Sequence, residues 1–139
     1  MGKKYVLDTS AFFTLTRGEE GNEQVERILQ DAKRKSCSVY VSFMTLAELY
    51  YVTWHMQGED AAQKMAGLMN GLPVEYVHSN NQLSLSAGRI KATHKLSLAD
   101  AFIAATAIEK QAILIHKDPE LEPMAKYVET VQLPYKKIS

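Results

Sequence analysis

Short apolar runs alternate with helical segments along this chain, and the alternation restricts the folds that it can adopt. The run Tyr5-Val6-Leu7 contains no charged residue, which is typical of a strand covered on both faces. Five segments are predicted as strands, at 4–8, 38–41, 74–77, 112–115 and 130–133. Because strands separated by helices pair in parallel through right-handed crossovers, we predict an α/β fold. Its three layers are a central parallel sheet of four to five strands and helices on both faces.

The segments between these strands have the spacing and the end signals of helices. Helices are predicted at 11–16, 22–35, 43–57, 59–70, 80–94 and 99–110, and a short helix or turn follows the loop 118–123. Ser10, Ser79 and Ser97 precede three of these helices and are predicted as N-caps. With 139 residues, the chain is long enough for one domain, which we expect to span 1–139.

Composition and charge narrow the class of protein. Hydrophobic residues make up 46% of the chain, so it can form a core without a metal or a disulfide. The 16 Lys and Arg residues balance 16 Asp and Glu residues, which leaves any role in nucleic-acid binding to local patches. The single Cys37 excludes an intrachain disulfide, and neither a targeting segment nor a membrane-spanning run is visible. We therefore expect a cytoplasmic protein.

Four acidic residues lie in settings that are unusual for a solvent-exposed carboxylate. Asp8 and Asp118 follow the apolar runs of two predicted strands, so both should lie at the carboxyl edge of the sheet. Glu48 lies in a nearly all-apolar helix, where an unpaired carboxylate is strongly unfavourable. Asp100 lies in the first turn of an apolar helix, where the helix dipole favours its charged form. We expect the four side chains to converge in one crevice.

Four carboxylates in one crevice repel one another unless a cation binds between them or some of them are protonated. Mg²⁺ and Mn²⁺ prefer oxygen ligands, and Mg²⁺ retains waters while leaving room for a substrate phosphate. Such ions polarise a phosphate and lower the pKa of a bound water. The four acidic residues therefore predict a metal-dependent phosphodiester hydrolase.

The acidic residues also have structural interpretations. Asp8 is explained equally well as a turn residue or a helix cap. Asp100 has the spacing of a capping box with Ser97, and Asp118 precedes a proline, as in many turns. Glu48 is the hardest to explain in this way, because its flanking turns are apolar on most sides.

The pattern as a whole resembles a known family, the PIN-domain nucleases, and in particular the VapC-like toxins of prokaryotic toxin–antitoxin pairs. The resemblance rests on four motifs: V-L-D-T-S at 6–10, V-S-F-M-T-L-A-E-L at 41–49, L-A-D-A-F-I-A-A at 98–105 and A-I-L-I-H-K-D at 112–118. Each motif is weak alone, whereas their order and spacing together are specific. The fourth motif has His116 where the family usually has Thr or Ser.

The resemblance implies Mg²⁺ or Mn²⁺ as cofactor, endonucleolytic cleavage of RNA, a homodimer and inhibition by a small antitoxin protein. Asp8 and Asp100 would bind the metal directly or through water, and Asp118 would close the site from the neighbouring strand. Glu48 would either ligate the metal or orient the nucleophilic water.

Three further residues are expected to support the site. Thr9 and Ser10 would position the acidic groups, although Ser10 is also explained as an N-cap. His116 would contact phosphate or transfer a proton, or it would simply be a local hydrogen-bond partner.

Other functions remain as alternatives. A phosphatase of the haloacid dehalogenase type needs a second Asp two positions after the first, where this chain has Ser10. A non-catalytic PIN-fold module for RNA binding or assembly, or a stand-alone RNA-processing nuclease, would fit the same four motifs.

The aromatic side chains of helix 43–57, including Tyr50, Tyr51 and Trp54, with Met56, Met65 and Met69, exceed what one buried face needs. They indicate core packing or a surface for a second copy or an antitoxin helix. RNA stacking is a third interpretation, which the absence of interleaved basic residues disfavours.

Overall fold

The chain forms a five-stranded parallel sheet between two layers of helices, in a computed structural model that describes residues 2–135. The strands are β1 (Lys4–Leu7), β2 (Ser38–Ser42), β3 (Glu75–Val77), β4 (Ile113–His116) and β5 (Thr130–Gln132). They lie in the order β3-β2-β1-β4-β5, and every neighbouring pair is parallel. The predicted fold class, a three-layer α/β fold with a parallel sheet, is thereby confirmed.

The helices connect successive strands. They are α1 (Thr9–Thr16), α2 (Asn22–Lys33), α3 (Phe43–Gln57), α4 (Glu59–Asn70), α5 (Asn81–Thr93) and α6 (Leu98–Lys110), followed by a 3₁₀ helix (Pro119–Lys126). None of the helices within residues 2–135 has the length and apolar character needed to cross a bilayer.

Each face of the sheet has its own hydrophobic core. Successive side chains of a strand point to opposite faces, so Val6 and Leu7 contribute to different cores. Val6 packs with Leu114 against α5 and α6, whereas Leu7 packs with Ile115 against α1 and α2. These four side chains are completely buried, which explains why their runs lack polar alternation.

The caps of two helices differ from the prediction. Asp8, which the sequence also allowed as a cap, and not Ser10 caps α1, because the Asp8 carboxylate accepts the N–H of Ala11 while Ser10 lies inside the helix. Asn80, not Ser79, caps α5. In both cases the residue whose side chain accepts a free N–H of the first turn is the N-cap. It lies one or two positions from the predicted residue.

The direction of chain winding reverses beside β1. From β1 the chain proceeds through β2 to β3 on one side, and β4 then returns to the other side of β1. Ligands of open α/β sheets bind beyond the carboxyl ends of the strands at such a point. Asp8 directly follows β1, and Asp118 lies two residues after β4.

Candidate functional site

A crevice of about 280 Å³ opens at the carboxyl edge of the sheet. Its lining residues are Asp8, Thr9, Ser10, Phe13, Glu48, Ser97, Asp100, Asp118 and Glu120. The structure thus places all four predicted acidic residues around one space, together with the two predicted hydroxyl groups. Their sources are the ends of β1 and β4, the first turns of α1 and α6, and the second turn of α3.

Asp8 is almost completely buried at the floor of this crevice. Its carboxylate accepts the hydroxyl of Ser10 at 2.8 and 2.7 Å and the N–H of Ala11 at 2.8 Å. Burial raises the pKa of Asp8 to about 7, and the charge of Asp118 adds to the shift, whereas the hydrogen bonds oppose it. The carboxylate is therefore held rigidly in a place that favours its protonated form unless a cation is near.

Ser10 connects the ends of the two central strands. Its hydroxyl donates to Asp8 and accepts the backbone N–H of Lys117 at 2.8 Å. Since Lys117 follows β4, this contact aligns the chain that carries Asp118 with the chain that carries Asp8. Ser10 thus contacts both chain segments and is not the cap of α1.

Asp100 extends into the crevice from the first turn of α6. Its backbone N–H donates to the hydroxyl of Ser97 at 3.1 Å, so Ser97 caps the helix as predicted. The Asp100 side chain is buried and close to the carboxyl of Asp118. Burial, then Asp118, then the charges of Asp8 and Glu48 raise the pKa of Asp100 to about 9.

Asp118 and Glu120 form the wall opposite α6. The Asp118 carboxylate accepts the N–H of Glu120 at 2.9 Å and thereby begins the 3₁₀ helix. One carboxylate oxygen from each of Asp100, Asp118 and Glu120 lies within 4.8 Å of the other two. Sequence reasoning missed Glu120. The signal was the sequence Asp-Pro-Glu, since an Asp side chain that accepts the N–H two residues later folds the chain back and keeps Glu120 close to Asp118.

Glu48 is half-buried and points from α3 towards the start of α1. Its Oε1 accepts the hydroxyl of Thr9 at 2.5 Å. The contact joins two helices that are 39 residues apart in sequence and fixes the orientation of the carboxylate. Thr9 is therefore the partner that compensates this acidic residue.

His116 lies behind the crevice and does not line it. The imidazole is 1% exposed, and its Nδ1 accepts the backbone N–H of Asp118 at 3.1 Å. Accepting at Nδ1 requires a lone pair there, so the proton of the neutral ring lies on Nε2. Burial lowers the pKa of His116, which favours this neutral form. The structure thus gives His116 the geometry of a local hydrogen-bond partner.

The aromatic face of α3 is only partly available to a partner. Tyr51 is 50% exposed, Trp54 42% and Met56 63%. Tyr50 is half-buried against the edge of the Trp54 ring. Met69 is buried in the core, so it does not belong to an exposed surface.

The crevice fits a hard divalent cation. All of its acidic ligands are oxygen donors, which Mg²⁺ and Mn²⁺ prefer, and three carboxylate oxygens are close enough to share one ion. Burial and, to a smaller extent, neighbouring carboxylates raise the pKa of Asp8 and of Asp100, and a bound cation would favour the charged form of both.

Comparisons with known proteins agree with this architecture. The family model described as "PIN domain" matches residues 5–127. A comparison with curated protein sequences found no significant match.

Three solved structures illustrate the likeness of fold. The chain is similar to VapBC2 from Rickettsia felis bound to a promoter DNA fragment, with 16% identity, a TM-score of 0.73, and 94% of this chain and 99% of that chain covered. It is similar to DNA-bound VapBC from Salmonella typhimurium, with 21% identity, a TM-score of 0.72 and coverage of 95% and 98%. It is also similar to VapC20 of Mycobacterium tuberculosis, a sarcin–ricin loop cleaving toxin. The identity is 22%, the TM-score is 0.70, and 90% of this chain and 97% of that chain are covered.

Proposed function

Because the chain belongs to the PIN-domain family, we propose that it is a divalent-metal-dependent endoribonuclease that acts as the toxin of a toxin–antitoxin pair. One observation carries the proposal. Asp8, Glu48, Asp100 and Asp118 line one crevice, where an oxygen-preferring cation would compensate their charge.

We assign Asp8, Asp100 and Asp118 to metal binding, with Mg²⁺ or Mn²⁺ as the ion. When bound, such an ion supplies polarisation of the scissile phosphate and a lowered pKa for a coordinated water. Glu48 either ligates the ion or accepts a hydrogen bond from the attacking water and orients it. Its fixed contact with Thr9 suits the second role, because a base that is already oriented loses no rotational freedom on binding substrate.

Thr9, Ser10 and His116 position these groups and do not touch the substrate in this scheme. Thr9 holds Glu48, and Ser10 holds both Asp8 and the backbone before Asp118. The hydroxyls are thus expected to set the spacing of the acidic oxygens, on which the affinity for a small cation depends.

An antitoxin protein and a second copy of the chain are the proposed partners. The similarity to the VapBC structures, and to a toxin–antitoxin complex from Klebsiella pneumoniae, supports the first. The exposed side chains of Tyr51, Trp54 and Met56 on α3 are available for either partner. A cytoplasmic location would place the protein with its RNA substrate.

The deciding experiment is incubation of the purified chain with total RNA and Mg²⁺ or Mn²⁺, followed by mapping of the cut ends. We expect discrete internal cuts that EDTA abolishes and that an Asp100→Asn preparation, purified in parallel, does not make. Binding of RNA without cleavage would instead indicate a non-catalytic module.

A second arm separates a toxin from a processing nuclease. Any small protein that is encoded immediately beside this chain's gene is purified separately and added to the cleavage reaction. Inhibition by that protein is expected for a toxin, whereas cleavage at full rate in its presence would favour a stand-alone RNA-processing nuclease.

A further inference from the structure

We propose that Arg17 forms a phosphate-binding subsite beside the acidic crevice, which binds a backbone phosphate of the RNA within about three nucleotides of the one that is cleaved. The inference rests on the proposed function, because it assumes that RNA lies across the crevice. Arg17 lies outside the four acidic motifs.

One face of α1 runs from the crevice to Arg17. Ser10, Phe13 and Arg17 are spaced by three and four residues, so they lie one above the other on the same side of the helix. Ser10 and Phe13 line the crevice, and Arg17 is the C-cap. At about 1.5 Å per residue, Arg17 lies roughly 10 Å from Ser10 along the helix axis.

A second groove of about 390 Å³ continues from the crevice along this face. The two share Ser10 and Phe13, and Arg17, Lys117 and Tyr135 also line the second groove. A strand whose scissile phosphate lies among the acidic residues would enter this groove with its next nucleotides. At about 3.4 Å per stacked nucleotide, Arg17 would meet a phosphate within about three nucleotides of the cut.

Lys117 does not have a free charge for this purpose. Its Nζ lies 3.5 Å from Glu19 and 2.8 Å from the carbonyl oxygen of Glu20, and its side chain is only 7% exposed. The charge of this lysine is therefore already compensated inside the protein.

Arg17 is in the opposite situation. Within residues 2–135, no carboxylate lies within salt-bridge distance of its guanidinium. The group stacks over the Phe13 ring at 4.0 Å, and Nη2 donates to the thioether of Met56 at 3.2 Å. Its neighbours thus hold the planar group in place while leaving its charge and most of its five N–H donors free.

An uncompensated arginine suits this position for a physical reason. The acidic crevice repels the polyanionic backbone of RNA, so a cation beside it gives the substrate a point of attachment that does not compete with the metal. The guanidinium fork matches the oxygens of a phosphate, which makes Arg a preferred ligand for this group. A purely structural alternative is that Arg17 only stabilises the C-terminal end of α1 through the helix dipole.

The test measures binding of a labelled single-stranded RNA to the full chain across a salt series. EDTA is present, so that cleavage does not consume the probe. We compare wild type with Arg17→Gln, Arg17→Lys and a matched control, Arg34→Gln, whose residue is an exposed arginine paired with Asp31 at 3.9 Å on α2. Thermal melting of each variant shows whether it is folded.

We expect Arg17→Gln to weaken binding about ten-fold at low salt, since a hydrogen bond to a charged group is worth roughly 1.5–3 kcal/mol. The slope of log affinity against log salt should become shallower by about 0.7, the contribution of one phosphate contact on a single strand. Arg17→Lys should keep the slope, and Arg34→Gln should behave as wild type.

An unchanged slope in Arg17→Gln, or an equal loss in Arg34→Gln, would overturn the subsite. So would a melting temperature that falls while RNA binding stays the same, which would leave Arg17 a helix-capping role. Failure of the proposed function looks different, because the wild type itself would then not cleave RNA with metal, whether or not it binds RNA.

Discussion

The Nδ1 atom of His116 accepts the backbone N–H of Asp118 at 3.1 Å, although the imidazole is almost completely buried. A Thr or Ser hydroxyl can accept the N–H two residues later in the same way. The histidine thus preserves an acceptor where the resembling family usually has a hydroxyl, and it orients the chain that carries a proposed metal ligand.

Because of this contact, we predict that metal affinity and thermal stability rank two substitutions of His116 in opposite orders. Asn places Oδ1 where Nδ1 lies and keeps the acceptor, whereas Leu fills the buried space better but cannot accept. We expect His116→Asn to bind Mn²⁺ more tightly than His116→Leu, although His116→Leu has the higher melting temperature. Titration calorimetry and thermal melting measure the two quantities. If metal affinity simply follows stability, the histidine is only a packing residue.

Asp8→Asn should remove activity without unfolding the protein. Asn is as good an N-cap as Asp, so α1 keeps its start, but the charge that holds the cation is lost. We expect RNA cleavage to fall by about 100-fold or more. In EDTA at neutral pH the melting temperature should stay the same or rise by a few degrees, a gain of about 1 kcal/mol, because a buried carboxylate is removed.

Asp60→Asn is the matched control for this substitution. Asp60 is an exposed acidic residue in the first turn of α4, away from the crevice. The variant should keep full activity and lose a little stability, since a favourable interaction with the helix dipole is removed. Unfolding of Asp8→Asn together with cleavage by wild type in EDTA would make Asp8 a structural residue.

Stability of the metal-free protein should fall as the pH rises. The pKa values of Asp8 and Asp100 are raised from 3.8 in the unfolded chain to about 7 and about 9. From the unfolded value of 3.8 up to these raised values, the folded state therefore binds more protons than the unfolded state. Stability is then lost with rising pH across that window. Melting temperatures measured in EDTA across a pH series should show this loss of stability. In Asp100→Asn the melting temperature should depend less steeply on pH.

Divalent cations should reverse this dependence. Metal ligands bind in their deprotonated form, so Mn²⁺ should raise the melting temperature more at about pH 8 than at about pH 5. A gain that is equal at both pH values would mean that the two buried carboxyls are not metal ligands.

Glu120 should contribute to metal affinity. Its carboxylate lies within 4.8 Å of those of Asp100 and Asp118. We expect Glu120→Gln to weaken Mn²⁺ binding about ten-fold, the lower end of what groups around a metal contribute. Glu122→Gln is the control, because Glu122 lies in the same 3₁₀ helix and Gln can still accept the hydroxyl of Tyr135. Equal affinity in both variants would exclude Glu120 from the metal site.

The sequence by itself determined the layers of the fold and the set of acidic candidates. Apolar runs such as Tyr5-Val6-Leu7 are visible because strands buried on both faces need apolar residues throughout. Asp8 and Asp118 could be placed at one edge because parallel strands align their carboxyl ends. These inferences depend on local patterns and on a few rules of connection, which a sequence displays directly.

Only the tertiary structure decided how the acidic groups are held. Thr9 meets Glu48 across 39 residues, and Ser10 meets the backbone of Lys117 across 107. No local pattern encodes such partners, because a hydroxyl has the same propensity whether it caps a helix or bonds a distant carboxylate. The burial that raises the pKa of Asp8 and Asp100 likewise exists only after the helices have packed onto the sheet.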